Sequence, residues 1–511
     1  MTEATPPPAI EAAAEPSPPP ETLRLEVELD PAAAEGFGRL GPIAARRAGR
    51  LRAHPASLTW LDTAEGALAA EGFALERAGR GPDVLLRTLP VPGTAWRPAT
   101  PPERLRERGA GEPLAEAGEA PLIPVSAFEG RRSVVPLLGG VEAVLLHGRL
   151  RAVVAEAPVA RLTLCGPPSA VLALARDLAA AVPALPPRAA LAEEGRALAR
   201  GEAPRPRRFG PPAPGPGLGV EDALVLAIGH LAEAMLWHAP LARAGTDPTG
   251  VHQMRVALRR LRSLLKVFRP AVDAAALRAL DRDLRELADL LGPARDWDVF
   301  LGGLGAELAA ALPGDARIGT LLRAARERRG AAYAALRTAL DGPGFRRLLW
   351  EVVAVLQARP WRDEPAEEEV TARRALPLEA FAAKLLDRRW QRLVAAGADI
   401  SAMPDEALHE LRLEAKRLRY PAELFAPLWG RRRGRRFLKR LAEVQEAFGL
   451  SNDVAVARSL VGQLVTRGGA GMAWAAGVAE GWSLARARPA RRRSAEAWEA
   501  LLETEAYWNQ G

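Results

Sequence analysis

Two segments of the chain, 157 residues apart, set basic side chains in the same order: His252, Arg255, Arg259, Arg260 and Arg262 in the first, and His409, Arg412, Lys416, Arg417 and Arg419 in the second. Arg offers a planar fork of N–H donors and Lys a compact ammonium, so such sets suit phosphate oxygens rather than acid–base or nucleophilic chemistry. Two histidines at matched positions also raise the question of a metal. Each has arginines one turn away and no nearby cluster of Asp, Cys or other His, so a cation would be repelled. The expectation is an anion site with no metal, no cofactor and no catalytic residue.

Helical geometry turns the pattern into a surface. At 3.6 residues per turn His252, Arg255, Arg259, Arg262 and Lys266 share one stripe, while Met254, Leu258, Leu261 and Leu265 share another. The second segment sets His409, Arg412, Lys416 and Arg419 opposite Leu411, Ala415 and Leu418. A charge run on a helix is ordinarily a solvated face, and such faces mix signs. The first stripe contains no carboxylate. With the apolar stripes packed inside each half, the cationic stripes are expected to line a shared groove or cavity.

The repeat extends beyond one helix, because Leu291-Gly292-Pro293-Ala294-Arg295-Asp296 stands 157 residues before Phe448-Gly449-Leu450-Ser451-Asn452-Asp453. Arg282 and Lys439 keep the same offset on the following helices. From Gly219 on, the texture is helical, with helices expected over Glu221–Leu241, Val251–Phe268, Ala274–Leu291, Ile318–Leu340, Gly344–Leu356, Leu378–Ala395, Pro404–Leu424 and Arg435–Phe448, and a last pair after Asp453. Breaks are expected at Gly245-Thr246-Asp247-Pro248, Gly292-Pro293, Leu312-Pro313-Gly314 and Gly342-Pro343. Asp296 and Asn452-Asp453, which follow Gly, read equally as helix N-caps or as groups that orient arginines. The whole predicts an all-α region of two four-helix bundles related by a pseudo-twofold axis, over residues 219–505, with halves near 219–360 and 375–505.

Ahead of it the organisation differs. Residues 1–20 are rich in Pro, Ala and Glu and predict a disordered tail. Short alternating runs at Leu23–Leu29, Val84–Arg87 and Val141–Leu146 predict strands, and Val171–Val182 a closing helix, so residues 21–200 read as an α+β domain with an antiparallel sheet. A Pro/Gly linker at 201–218 marks the boundary. The whole chain's excess of eight positive charges lies after residue 218, and nearly all the cations are Arg, the only lysines being Lys266, Lys384, Lys416 and Lys439. With Cys165 the sole cysteine, an intrachain disulfide and a cysteine-built zinc site are excluded. The start of the chain has no secretory-signal pattern, and no long uncharged apolar run suggests a membrane span, so a cytoplasmic protein is expected.

The segment Asp247 to Ser263, with His252, Arg255, Arg259, Arg260 and Arg262, closely resembles the CHAD family, the conserved histidine α-helical domain. The second copy, His409 to Tyr420, and the Leu441 to Asp453 segment with Gln445, Gly449, Asn452 and Asp453 fit it too. The resemblance covers about residues 219–505. It implies a duplicated four-helix bundle whose basic cavity binds inorganic polyphosphate, often on polyphosphate granules. By position it assigns binding to His252, Arg255, Arg259, Arg260 and Arg262 in one half and His409, Arg412, Lys416, Arg417 and Arg419 in the other; Lys266, Arg282 and Lys439 are added from the stripe and the matched helices. The N-terminal part, with Glu26-Val27-Glu28-Leu29, Leu61-Asp62-Thr63 and Phe73 to Arg77, resembles a CYTH domain, the triphosphate-tunnel fold. It departs from that pattern at Asp30, Glu76, Arg161 and Thr163, which puts metal binding in doubt and points to a degenerate, inactive relative.

Three readings follow: a non-catalytic polyphosphate-binding protein, a Mg-dependent triphosphatase or polyphosphatase acting through Glu26 and Glu28, and a nucleic-acid binder. The last is disfavoured by a 5% aromatic content, with tryptophans such as Trp350 and Trp390 at core-like spacing, although the Arg431–Arg436 and Arg491–Arg493 runs would attract any phosphate polymer.

Overall fold

The computed structural model describes residues 22–509 apart from 90–97, 110–111, 113, 119, 202–209, 398–399, 401–402, 466–468 and 488–489. The tail over 1–20 and residues 202–209 of the 201–218 linker lie outside the described residues.

The N-terminal part is one antiparallel sheet of β1 (Leu23–Leu29), β2 (Arg52–Asp62), β3 (Phe73–Ala78), β4 (Asp83–Arg87), β5 (Glu103–Arg108), β6 (Ile123–Leu137), β7 (Val141–Arg151), β8 (Glu156–Gly166) and β9 (Ala184–Leu185). Their order is β5-β4-β3-β2-β6-β7-β8-β1-β9. Short helices α1 (Pro31–Ala34), α2 (Gly41–Ala44) and α3 (Ala67–Ala70) and the longer α4 (Pro168–Ala181) and α5 (Leu191–Ala199) decorate it. Strand period sorts the side chains: Leu25, Val27 and Leu29 of β1 are buried, while Glu26 and Glu28 face the other side opposite Thr163 and Arg161 of β8.

The rest is helical: α6 (Val220–Ala244), α7 (Pro248–Phe268), α8 (Ala275–Gly302), α9 (Leu304–Ala311), α10 (Ala316–Asp341), α11 (Pro343–Ala358), α12 (Glu368–Arg374), α13 (Leu378–Ala396), α14 (Asp405–Phe425), α15 (Arg431–Ala447), α16 (Gly449–Val465), α17 (Ala470–Ala487) and α18 (Ala490–Leu502). One apolar core runs from α6 to the aromatic pair Tyr507 and Trp508, and a smaller one joins the end of α8 to α9, α10, α16 and α17. Helix α6 is long and apolar enough to cross a membrane by composition, yet 78% of its most apolar window is buried as core.

Two expectations fail on α8. The helix does not break at Gly292-Pro293, because Leu287, Leu291, Ala294 and Trp297 stay buried on one face across the proline. That burial outweighs the about 3 kcal/mol an interior proline costs. Asp296 therefore sits inside a helix and is no N-cap. In the second copy the break is real, between Ala447 and Gly449, and it falls before Asn452-Asp453, which lie within α16; their side chains lie outside the described residues.

The two parts share a helix. Trp350, Val353 and Ala354 of α11 pack into the sheet's core beside Leu25, Val27 and Leu174, while Leu349, Val352 and Leu356 of the same helix belong to the helical core. The Trp350 indole N–H donates to the Ala184 carbonyl (3.0 Å), Arg346 donates to the Ala179 carbonyl (2.8 Å), and Arg176 pairs with Glu351 (2.7 Å).

Candidate functional site: a cationic groove between α7 and α14

Helix α7 starts where its sequence dictates. Asp247 is the N-cap, its carboxylate accepting from the Thr249 N–H at 2.8 Å, and Pro248 opens the first turn. Gly250 is required by packing, since a Cβ there would stand 2.4 Å from the Ala242 backbone nitrogen of α6. The buried face is Val251, Met254, Leu258, Leu261, Leu265 and Phe268, and each large side chain contributes about 1.5–3 kcal/mol. Helix α14 buries Leu411, Ala415, Leu418, Ala422 and Phe425 in the same core. The apolar faces fix the rotation of both helices and leave their basic residues outside the core.

Between α7 and α14 lies a groove of about 450 Å³. Arg255, Arg259, Arg262 and Lys266 line it from α7, Lys416 and Arg417 from α14, with Asp289 of α8 at its edge. The Arg259 guanidinium lies 5.7 Å from the Tyr420 ring centroid, a cation–π contact that spans the groove and holds the charge in place. Arg255 runs over α8 at Gly292, where a Cβ would come within 3.2 Å of its Nη1, and that same nitrogen is 3.5 Å from the Ala288 carbonyl. Burial pulls the Arg255 pKa down; Asp296 opposes this, and Arg259 and Arg295 add to it. Among the described residues, Arg255, Arg259 and Lys266 have no ion pair, whereas Arg262 pairs with Asp281 (2.9 Å) and Arg417 with Glu414. Several uncompensated charges in a partly enclosed site raise a strong positive potential.

Six of the thirteen residues expected to bind line this groove; the others are placed differently. Arg260 and Arg419 meet at Glu423, at 2.9 and 2.6 Å, and Arg419 also donates to Gln445 at 2.9 Å, so this pair ties α7, α14 and α15 together. Arg412 is half-buried on α14 outside the groove lining. His409 is exposed, and Arg282 and Lys439 are exposed on α8 and α15, Lys439 lying 3.9 Å from Glu443. Of the stripe His409, Arg412, Lys416 and Arg419 expected on α14, Lys416 lines this groove, whose α14 face is Leu413, Lys416, Arg417 and Tyr420. Glu423, which stands 157 residues after Lys266, draws Arg419 into an internal ion pair. His252 is half-buried outside the lining, and burial, followed by Arg295 and Arg259, holds its pKa below the ordinary 6.5.

Sequence reasoning missed Asp289, Tyr420, Glu423 and Arg389. The sign change from Lys266 to Glu423 at matched positions is a signal that could have revealed Glu423. Arg389 of α13 donates to the Arg417 carbonyl, and burial pushes its pKa down to about 10. That bond fixes the α14 backbone beside the groove.

The sheet's polar interior is arranged oppositely. Arg161 is wholly buried and donates to Glu26 (3.0 Å), Glu194 (2.8 Å) and the Ala189 carbonyl (3.1 Å). Burial raises the Glu194 pKa, with Arg161 working against it, and burial also raises Glu76, which accepts the Trp60 indole N–H at 3.1 Å. Glu26, the first carboxylate that a divalent ion would need, is thus occupied by a guanidinium. Among the described residues no group of three or more His, Cys, Asp or Glu could hold a metal ion.

A helical region carrying a basic interhelical groove is thus docked through one helix on an antiparallel sheet. Residues 226–462 match the CHAD domain family, so the chain carries a CHAD domain. Its likeness to the crystal structure of the CHAD domain from the plant Ricinus communis covers 60% of this chain and 99% of that one, at 25% identity and a TM-score of 0.50. PptA from Streptomyces chartreusis is a more remote likeness, at 19% identity and a TM-score of 0.43 over 55% of this chain and all of that one. The uncharacterized protein Rv2226 of Mycobacterium tuberculosis is 31% identical over 198 residues, 38% of this chain and 37% of that relative's length.

Proposed function

We propose that the CHAD domain binds inorganic polyphosphate, without catalysis, in the groove between α7 and α14. The observation that carries this reading is the convergence of Arg255, Arg259, Arg262 and Lys266 with Lys416 and Arg417 on one groove. A linear phosphate chain presents oxygens along its whole length, and forked Arg donors can grip them in pairs. The α7 stripe from Arg255 to Lys266 runs roughly 16 Å along the helix, so the ligand it suits is elongated. The 157-residue offset of α7 and α14 favours two halves related by an approximate twofold axis, with the groove between them. A cytoplasmic protein that gathers on polyphosphate granules follows from the same reading.

In this proposal the N-terminal sheet is a degenerate CYTH-like domain with no triphosphatase activity. The Arg161 guanidinium sits between Glu26 and Glu194, where a divalent ion would be repelled. Nucleic acid is a weaker fit, since the groove offers one aromatic ring, Tyr420, already engaged by Arg259.

The test is titration of long-chain polyphosphate into the full-length protein and into the variant Arg255→Ala/Arg259→Ala/Lys266→Ala/Lys416→Ala. Affinity is expected to fall at least about 100-fold at unchanged helicity, with a shallower salt dependence, because each lost phosphate contact releases fewer counterions. Unchanged affinity would place binding elsewhere. Equal affinity of the wild type for single-stranded DNA at the same phosphate concentration would mean a generic cationic surface.

A further inference from the structure

The groove is not the only cationic surface on this domain. Helix α15 buries Gly434, Phe437, Leu441 and Val444 and turns Arg432, Arg435, Arg436 and Lys439 to solvent, at the three- and four-residue spacing of a single helical face. Among the described residues, Arg432, Arg435 and Arg436 have no ion pair; the helix's acidic partner Glu443 serves Lys439 and Arg440 near the other end. This distribution is the reverse of what helix stability favours. Cations gather at the N-terminal end, where the macrodipole is already positive, and the carboxylates Glu443 and Glu446 fall toward the C-terminal end. A stripe that costs the helix stability is not explained by folding.

Its position is informative. Helix α15 packs directly on α14, and the Arg419–Gln445 hydrogen bond at 2.9 Å joins the two, so the stripe lies on the helix next to the groove wall. Packed helices stand roughly 8–10 Å apart, and the stripe lies at the end of α15 where Gly434 meets Ala426, roughly 9 Å along the axis beyond Tyr420, a path a flexible phosphate chain crosses within several units. Phe437, Tyr507 and Trp508 are buried in an edge-to-face cluster beneath the stripe, and the half-buried Trp429 stands edge-on to Tyr507 at 5.7 Å, so the rings near the charges are packed against one another.

We propose that Arg432, Arg435 and Arg436 form a second, outer track for the same polyphosphate chain, so that a long polymer is held at two places and a short one only in the groove. The inference rests on the groove reading. It makes chain-length preference a matter of effective concentration: the chain captured in the groove presents its free length to the outer stripe.

The experiment compares full-length wild type with Arg432→Glu/Arg435→Glu/Arg436→Glu, titrated with long-chain polyphosphate and with a chain short enough to lie within the roughly 16 Å groove stripe. Long-chain affinity is expected to fall by about tenfold or more while short-chain affinity stays unchanged, and the triple Lys variant should restore long-chain binding. Unchanged long-chain affinity, or equal losses for both lengths, overturns the outer track and leaves the groove reading standing. If the wild type binds neither polymer, the groove reading itself fails and the proposal falls with it. Weakening of single-stranded DNA binding alone would assign the stripe to nucleic acid and overturn the proposal. All three arginines are exposed, so circular dichroism and thermal midpoint should match the wild type.

Discussion

Helices α7 (Pro248–Phe268) and α14 (Asp405–Phe425) start and end 157 residues apart and bury corresponding apolar positions, yet they use their basic residues differently. On α7 the stripe Arg255, Arg259, Arg262 and Lys266 opens onto the groove, and three of its four cations have no ion pair among the described residues. On α14 Arg419 turns to Glu423 and Gln445, and Arg417, which the helical stripe of His409, Arg412, Lys416 and Arg419 leaves out, takes a place in the groove. The apolar face sets how a helix is rotated. What its polar face does depends on where its partners stand: Arg262 pairs with Asp281 and stays on the groove, whereas Arg419 pairs with Glu423 and Gln445 away from it.

The comparison can be broken first at the apolar faces, which are equivalent. Leu261→Ala and Leu418→Ala remove fully buried side chains at matched positions and should each cost about 2–5 kcal/mol, read as denaturation midpoints. Markedly unequal losses would show that α7 and α14 do not carry their shared core equally. Glu423→Ala comes next. It leaves Arg260 and Arg419 without their shared partner, and the expected loss is about 2–3 kcal/mol, reduced from that of a buried pair by the partial exposure of Arg419. The matched change Lys266→Ala should leave stability within about 0.5 kcal/mol, because Lys266 is exposed, and weaken polyphosphate binding instead.

Gly292→Ala sharpens the picture on the α7 side. A helix-interior Ala should stabilise by about 0.5–1 kcal/mol, while its methyl group crowds the Arg255 guanidinium and lowers polyphosphate affinity a few-fold, two effects of opposite sign in one variant. The smallest effect is the pH dependence of His252. Its pKa in the folded protein lies below 6.5, so the unfolded chain binds the proton more readily, and stability is retained above 6.5 and lost as pH falls below it. His252→Gln should flatten that decline by less than about 1 kcal/mol in thermal scans between pH 7 and 5.

Much of this was legible because helical periodicity is strong. The spacing of Met254, Leu258, Leu261 and Leu265 predicts both the helix and its buried face, and the breaks at Gly245 to Pro248 and at Gly342-Pro343 fall where helices end. At Gly292-Pro293 local chemistry gave the wrong answer, since packing on both sides carries α8 through the proline. The groove face of α14 was hidden because Glu423, besides Arg419 on its own helix, pairs with Arg260 on α7, a tertiary contact that no local pattern reveals. In the N-terminal part the alternation of β1 was plain, whereas α5 and the role of Arg161 depend on strands far apart in sequence. Trp350 reads as a core residue from its spacing, and it is one, but in the core of the other domain.

That placement bears on how the chain comes to be made. The sheet's strands are complete at Leu185, while the helix that fills their core, Pro343–Ala358, is synthesised some 160 residues later. At ordinary translation speeds of about 5–20 residues per second, the apolar surface awaiting Trp350, Val353 and Ala354 stays uncovered for roughly 10–30 s. A newly made chain must therefore pass through a stage in which its first domain is exposed to chaperones, and to its neighbours on the same messenger, until its second domain arrives to close it.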